Sequence, residues 1–136
     1  MKIMLDQGAK MPTRAHPWDA GLDLYAKNNA LIRPGERAIF DTGVHVAIPA
    51  GFVGLLTSKS GLMAQQGITS RGTIDSGYTG SIHAVLFNHS NKAVKIAKGQ
   101  KISQLVILPC QLPDLELVDS LEETDRGDNG FGSTGR

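Results

Sequence analysis

Short apolar runs broken by glycine and proline limit the fold of this chain more than any other feature. In residues 43–51, GVHVAIPAG, the residues Val44, Val46 and Ile48 alternate with others, as in a strand with one apolar face. Similar runs follow at residues 52–57, 93–97 and 101–108. The run at residues 81–88 is apolar on both faces towards its end, as in a central or interface strand. The pattern predicts an all-β protein.

The segments between these runs predict turns and a single helix. The Pro-Gly pair in residues 30–40 suits a hairpin. Residues 60–67, SGLMAQQG, are the one helical stretch, with Ser60 placed to cap it and Gly67 placed to end it. The expected fold class is therefore an all-β barrel or jelly-roll-like sandwich with one short helix.

Composition narrows the class of function. The chain has 136 residues, 40% hydrophobic and 20% charged, which is enough for one packed domain. Its net charge of +1 is spread along the chain and disfavours nucleic acid as a partner. No secretory or membrane-spanning segment is evident, and Cys110 is the only cysteine. We therefore expect a cytoplasmic protein that has no membrane partner.

The end of the chain differs from the rest. Residues 125–136, DRGDNGFGSTGR, contain four glycines and little to bury, so we expect residues 1–124 to form the domain and 125–136 a flexible tail. Such a tail is compatible with plain disorder. It is also compatible with a phosphate-binding loop, because glycines let backbone N–H groups converge on an anion. Arg126, Phe131, Gly132, Ser133 and Thr134 would then supply a guanidinium, a stacking ring and further donors.

Two polar stretches near the predicted strands each allow two interpretations. Ser60 at a helix start, with Lys59 beside it, is either a plain N-cap or an anion site. Asp23 interrupts the apolar run AGLDLYA and either points to water or has a function. Gln104 lies between apolar residues, where its amide needs hydrogen-bond partners, and an ordinary structural bond would suffice.

The stretch GTIDSGYTG, at residues 72–80, is unusual for a hairpin turn. Asp75 follows the β-branched pair Thr73–Ile74, and Tyr78 lies three residues further on. A turn alone needs neither a carboxylate nor an aromatic ring at these positions. The residues alone leave a structural and a chemical explanation open.

The order and combination of these stretches resemble the trimeric all-β dUTPase family, over nearly the whole chain. Members of that family have a distorted jelly-roll or β-clip fold. Lys59 is a departure, since the family usually has Pro-Arg-Ser-Gly-Leu-Ala where residues 58–63 of this chain read SKSGLM. The family's five motifs occur in order as AGLDLYA (motif one, residues 20–26), SKSGLM (motif two, 58–63), GTIDSGYTG (motif three, 72–80), GQKISQL (motif four, 99–105) and RGDNGFGSTG (motif five, 126–135).

The resemblance implies hydrolysis of dUTP to dUMP and pyrophosphate, which keeps uracil out of DNA and supplies dUMP. Asp75 matches the carboxylate that holds and activates the attacking water, in line with the α-phosphorus. Tyr78 matches the ring that packs on the deoxyribose and rejects a ribose. The backbone at Gly72, Thr73 and Ile74 would read the uracil edge. Asn88, after motif three, would make structural or pocket hydrogen bonds.

The resemblance also implies where the phosphates and a metal bind. The catalytic set would be Asp75, Asp23 and Ser60. Magnesium is the implied cofactor, carried on the triphosphate through water, with Asp23 in its outer shell and no direct protein ligand. The phosphates would contact Lys59, Ser60, Gly61, Gln104 and the closing tail. In the tail, Arg126, Gly132, Ser133 and Thr134 would supply donors, and Phe131 would stack on the base or dock on a neighbour.

The family assembles as a homotrimer in which each active site takes motifs from several subunits, and we expect the same here. Two alternatives are a dCTP deaminase-related enzyme, which shares the fold, and a dUTP-sensing regulatory protein. The deaminating residues are not evident, and the pairing of Asp75 with Tyr78 favours phosphate hydrolysis.

Overall fold

The computed structural model describes residues 1–130. These residues form eleven strands and one helix. In chain order the elements are β1 (Lys2–Leu5), β2 (Leu22–Tyr25), β3 (Ala30–Ile32), β4 (Arg37–Asp41), β5 (Val44–Ala47), β6 (Phe52–Ser58), α1 (Ser60–Gln66), β7 (Ile68–Ser70), β8 (Gly72–Ile74), β9 (His83–Asn88), β10 (Val94–Ile96) and β11 (Lys101–Pro109).

All strand pairs are antiparallel, and they form four open sheets. Two sheets are pairs, β1–β5 and β3–β10. The others have the orders β2–β11–β6–β8 and β4–β9–β7. The predicted all-β class with one short helix is confirmed, and so is the central position of β9. Within the described residues the sheets do not close into a barrel.

The turn at Pro34–Gly35 does not make the predicted hairpin. Strand β3 pairs with β10, whereas β4 pairs with β9. Gly35 has a φ of 73°, and its N–H donates to the carbonyl of Asn88 at 2.9 Å. The hairpin prediction is wrong because this left-handed turn carries the chain from one sheet into another, where each strand finds a partner distant in sequence.

The short helix ends as predicted but begins differently. Gly67 has a φ of 66°, and its N–H bonds to carbonyls of the last helical turn. The N-cap position is Lys59, without a side-chain cap, and Ser60 is already the first helical residue. The prediction that Ser60 caps the helix is therefore wrong, since a capping side chain must stand one position before the first helical residue.

Two hydrophobic clusters form the core. The predicted alternation in β5 is confirmed, because Val44 and Val46 are buried together with Ile48. These three pack in one cluster with Leu24, Leu56, Ile74, Ile82 and Leu105. The other cluster contains Ala26, Ile32, Phe40, Leu62, Ile68, Ala84, Leu86, Val94, Ile96 and Ile102.

Strand β11 has a central place in its sheet, with β2 on one side and β6 on the other. It is the last strand of the described chain, and residues 111–130 are exposed with neither strand nor helix. Among the described residues, no helix is both long and apolar enough to cross a membrane.

Candidate active site

Motifs one, two and four meet at one end of the four-stranded sheet. In the β11–β2 ladder Gln104 lies opposite Asp23, and in the β11–β6 ladder Ser103 lies opposite Ser58. Because Lys59 directly follows β6, its side chain can reach the same place. The sheet register therefore gathers three segments that are far apart in sequence.

Asp23 is buried in this cluster, with only 3% of its surface exposed. Lys59 Nζ lies 2.5 Å from its Oδ1 and Lys101 Nζ lies 2.7 Å from its Oδ2. The interpretation in which Asp23 points to water is wrong, because both carboxylate oxygens face ammonium groups that the neighbouring strands provide.

The electrostatics of this pair of contacts keep the cluster charged. Burial acts to raise the pKa of Asp23, but the ammonium groups of Lys101 and Lys59 outweigh it and hold the pKa below the ordinary 3.8. The hydrogen bond to Asp23 raises the pKa of Lys101 in turn. Asp23, Lys59 and Lys101, here called the cationic cluster, carry one more positive than negative charge, and the Asp19 carboxylate lines the same cavity beside them.

Gln104 packs over a glycine at the mouth of this cluster. Its Nε2 donates to the carbonyl of Ser58 at 3.2 Å, so the structural hydrogen bond expected of a half-buried amide is present. A Cβ placed on Gly21 would overlap Gln104 Oε1, so only glycine leaves room for the amide. Both residues line a cavity of about 270 Å³, together with Asp19, Asp23 and Lys59.

The first turn of α1 lies next to this cavity. The first N–H groups of a helix have no intrahelical acceptor, and here the first helical bond is made by Met63, to the carbonyl of Lys59. Ser60 and Gly61 are exposed, and a Cβ on Gly61 would meet open space. A hydroxyl and unpaired N–H groups thus stand beside the cation of Lys59.

Motif three forms a tight turn at the end of β8. It is not a β-hairpin, because β8 pairs with β6 whereas the next strand, β9, pairs with β4 and β7. Ile74 pairs with Gly54 of β6, and the N–H of Tyr78 then donates to the carbonyl of Asp75 at 3.1 Å. Gly77 within this turn has a φ of 88°, which favours glycine. The Asp75 side chain is exposed and has no hydrogen-bond partner among the described residues.

The Tyr78 ring lies folded over the backbone at Gly80. Its hydroxyl donates to the carbonyl of Ser81 at 2.9 Å, and 44% of the residue is exposed. A Cβ on Gly80 would lie 2.6 Å from the Tyr78 oxygen. The glycine is therefore required for this position of the ring, whose free side faces solvent.

The turn after β8 that carries Asp75 lies away from the cationic cluster along β6. Ile74 pairs with Gly54, and Ser58 lies four residues further along β6. Since a strand rises about 3.3 Å per residue, these positions are roughly 13 Å apart. On the β8 side, Gly72 and Thr73 line a separate cavity of about 480 Å³ with Ser58 and Arg71.

A family model described as dUTPase matches residues 7–135 of this chain. The chain belongs to the dUTPase family. The resemblance found in the five motifs is thereby confirmed.

Known dUTPases are similar over nearly the full length. The deoxyuridine 5'-triphosphate nucleotidohydrolase of Corynebacterium glutamicum is 45% identical over 138 residues, which cover 98% of this chain and 93% of that protein. The dUTPase of Staphylococcus bacteriophage 80alpha, solved with dUPNHPP, has a TM-score of 0.92 and 33% identity, covering 99% of this chain and 98% of that one. A point mutant of the dUTPase from phage phi11 of S. aureus, which coordinates a structural Mg(II) ion, has a TM-score of 0.82 and 31% identity over 90% of this chain and 98% of that one.

Asn88, the last residue of β9, serves the fold in this chain. It is buried, and its Nδ2 donates to the carbonyls of Ile32 and Lys92, both at 2.8 Å. Its Oδ1 accepts from the N–H and the hydroxyl of Ser90. The structural interpretation is confirmed, since no donor or acceptor of the side chain remains for a ligand.

The dUTPase motif five lies only partly within the described residues. Arg126 is exposed, and its Nε donates to the carbonyl of Asn129 at 3.1 Å. The predicted binding residues Phe131, Gly132, Ser133 and Thr134 lie outside the described residues.

A set of polar residues under the motif-three turn was missed from the sequence. His45 Nδ1 lies 2.8 Å from the Thr79 carbonyl, and the Ser81 hydroxyl donates to Asp41 Oδ1 in a short hydrogen bond. The alternating pattern shows only that His45 points away from the apolar face of β5. It gives no sign that a loop 34 residues later would lie against it.

Proposed function

We propose that this chain is a dUTP diphosphatase that hydrolyses dUTP to dUMP and pyrophosphate by attack of water on the α-phosphorus. The observation that carries the proposal is the motif-three turn of a dUTPase family member, which presents an exposed Asp75 carboxylate three residues before Tyr78. Asp75 holds the attacking water and accepts its proton. For an ordinary carboxylate, placing the water in line contributes as much as basicity does.

The substrate base and sugar bind at β8 and the motif-three turn that follows it. Backbone groups of Gly72, Thr73 and Ile74 read the uracil edge, and cytosine is refused because its donor pattern is the opposite. Tyr78 packs against the deoxyribose. Because its hydroxyl is fixed on Ser81, the ring is held where a ribose 2′-hydroxyl would be crowded and unpaired.

The triphosphate binds at the cationic cluster and the first turn of α1. Lys59, Ser60 and Gly61 offer an ammonium group, a hydroxyl and unpaired N–H groups, and Gln104 supplies an amide from the other side of the cavity. These groups stabilise the charge that builds as pyrophosphate leaves. The tail residues Arg126, Phe131, Gly132, Ser133 and Thr134 close over the bound nucleotide.

Magnesium fits as an ion carried by the substrate. Among the described residues, no group of three or more His, Cys, Asp or Glu side chains could hold a metal ion. Each oxygen of Asp23 faces one ammonium group and keeps a lone pair for a metal-bound water, so Asp23 fits an outer-shell place. When bound, the ion neutralises phosphate charge.

A homotrimer completes the site. The turn that carries Asp75 and the cationic cluster lie about 13 Å apart along β6, as measured from Gly54, which pairs with Ile74, to Ser58. A closed ring would bring the motif-three turn of one subunit to the cluster of another. Support also comes from exposed apolar residues after β11, which a neighbour would cover: Leu112, Leu115, Leu117, Val118 and Leu121.

Pyrophosphate release from dUTP, compared with dTTP, dCTP and UTP, tests the proposal. We expect release from dUTP and release from the others slower by a factor on the order of a hundred or more. Ammonia release from dCTP would instead support the deaminase alternative. Tight binding of dUTP without turnover would support the dUTP-sensing alternative.

A further inference from the structure

The ring of His45 stands between two groups that can only accept hydrogen bonds. Its Nδ1 lies 2.8 Å from the carbonyl oxygen of Thr79, and its Nε2 lies 3.1 Å from the carboxylate of Asp6. A neutral imidazole has one N–H and can satisfy only one of these acceptors. Both contacts are hydrogen bonds only when the ring carries both protons.

The contacts of His45 fix the part of the motif-three turn on which the Tyr78 ring rests. Thr79 and Ser81 flank Gly80, over which the Tyr78 ring lies. His45 holds the first of these residues through its carbonyl, and Asp41 holds the second through its hydroxyl. The Ser81 carbonyl in turn accepts the Tyr78 hydroxyl.

We propose that His45 is a positioning residue for the substrate sugar, which in its doubly protonated form ties Thr79 to Asp6 and thereby holds Tyr78 in place. The proposal rests on the proposed function. Loss of one ring proton breaks one of the two hydrogen bonds and loosens the motif-three turn. Turnover of dUTP and discrimination against UTP both fall as a result.

The surrounding charges agree with a protonated ring. The Thr79 carbonyl and the Asp6 carboxylate raise the pKa of His45 above its ordinary 6.5. The hydroxyl of Ser81 and the N–H of Gly43 lower the pKa of Asp41 to about 2, so that anchor stays anionic while His45 titrates. The ionisable groups that face this region from the elements around it are Lys2 and Asp6 at β1, Lys27 after β2, Asp41 of β4 and His83 of β9.

The sign of the pH dependence follows. A group whose folded pKa is raised contributes its interaction fully below the ordinary value and loses it as the pH rises through the folded pKa. The His45 anchor is therefore complete below the ordinary pKa of 6.5 and lost on the alkaline side. Asp6→Asn removes the carboxylate that favours the charged ring, so the alkaline loss should move to lower pH.

Kinetics of the full-length protein with dUTP and UTP between about pH 6 and 9 test the proposal. We expect His45→Gln to lower kcat/KM for dUTP about tenfold at the acidic end of this range, since both N–H donors of glutamine lie on one nitrogen and its carbonyl oxygen cannot donate where the second ring nitrogen does. The ratio of dUTP to UTP turnover should also fall in His45→Gln. At high pH, where His45 has lost one proton, the kcat/KM and the ratio of the wild type should approach those of this variant. The control is His89→Gln. The His89 ring follows the last residue of β9 and contacts Thr69 of β7, so this variant should behave as wild type.

Nitrogen-15 NMR of the histidine rings gives a readout that does not depend on activity. We expect both nitrogens of His45 to be protonated at about pH 6 in the wild type, and the second proton to be lost at a lower pH in Asp6→Asn than in the wild type. A wild-type ring with a single proton at that pH would overturn the proposal, whatever the stability of the variants.

The kinetic outcomes separate this proposal from the proposed function. A wild type without dUTP turnover overturns the proposed function, and the role of His45 in turnover with it. Normal wild-type turnover together with an unchanged pH profile and an unchanged dUTP to UTP ratio in His45→Gln overturns the role of His45 alone.

Discussion

Asp23 and Lys59 form an ion pair that links β2 to the start of α1, with 2.5 Å between the lysine Nζ and Oδ1 of the carboxylate. The pair holds the lysine at the mouth of the cavity that Gln104 and Gly21 line. A lysine here lacks the planar fork of the arginine usual in the family, so it binds one carboxylate oxygen and leaves the other to Lys101.

Replacement of Asp23 by Asn should lower the stability of the folded protein. It leaves two cations facing each other without an anion, and because these lysines are partly exposed we expect a loss of roughly 1–3 kcal/mol in the free energy of unfolding. Urea denaturation at neutral pH measures it, with the exposed Asp114→Asn as a control that should match the wild type.

The same variant carries a pH signature. Because the pKa of Asp23 is lowered in the folded protein, the contribution of its carboxylate to stability is present above pH 3.8. This contribution is lost as the pH falls through the pKa of the folded state. The stability difference between wild type and Asp23→Asn should therefore shrink below pH 3.8. A difference that stays constant as the pH is lowered further would contradict the ion-pair account.

Gly21→Ala should disturb the triphosphate site through Gln104. The new methyl group would overlap Oε1, so the amide must leave its position. We expect KM for dUTP to rise about tenfold, as in Gln104→Ala, since each change removes a hydrogen bond to a charged ligand. An unchanged KM in both variants would remove Gln104 from the phosphate site.

Gly80→Ala should weaken sugar discrimination. Its Cβ would lie 2.6 Å from the Tyr78 oxygen, which forces the ring away from Ser81. The ratio of kcat/KM for dUTP to that for UTP should fall about tenfold or more. Tyr78→Phe keeps the ring, so this ratio should fall less than in Gly80→Ala. Equal losses in the two variants would show that the hydroxyl, not the ring position, decides selectivity.

Truncation after Thr124 should lower turnover without unfolding the protein. Residues 111–130 are exposed and lie outside both hydrophobic clusters, so the melting temperature should stay within a few degrees of the wild type. We expect kcat for dUTP to fall about a hundredfold, because the closing donors are removed. Full activity of the truncated chain would mean that motif five is not part of the site.

Local sequence patterns predicted strands and the helix well, whereas they did not predict which strands pair or which cations face Asp23. The alternation around Val46 and the helix end at Gly67 depend on neighbouring residues only. The wrong hairpin at Pro34–Gly35 and the wrong solvent-facing interpretation of Asp23 have one cause. In each the deciding partner lies far away in sequence, as Lys59 does, 36 residues from Asp23.

The sharing of each active site between subunits is what the family resemblance implies, and no periodicity in the sequence indicates it. Nothing in the sequence marks His45 as the residue beneath Thr79. Long-range packing creates that contact, and an alternating strand pattern gives only the face on which a side chain lies.

Pyrophosphate release by Asp75→Asn tests the central claim most directly, with dUTP binding measured on the same protein. The amide keeps the shape of the side chain but accepts a proton poorly, so kcat should fall about a hundredfold or more while the affinity for dUTP stays within a few-fold of the wild type. The neighbouring Ser76→Ala should turn over dUTP normally. A kcat for Asp75→Asn close to that of the wild type would contradict the assignment of this carboxylate as the group that activates water.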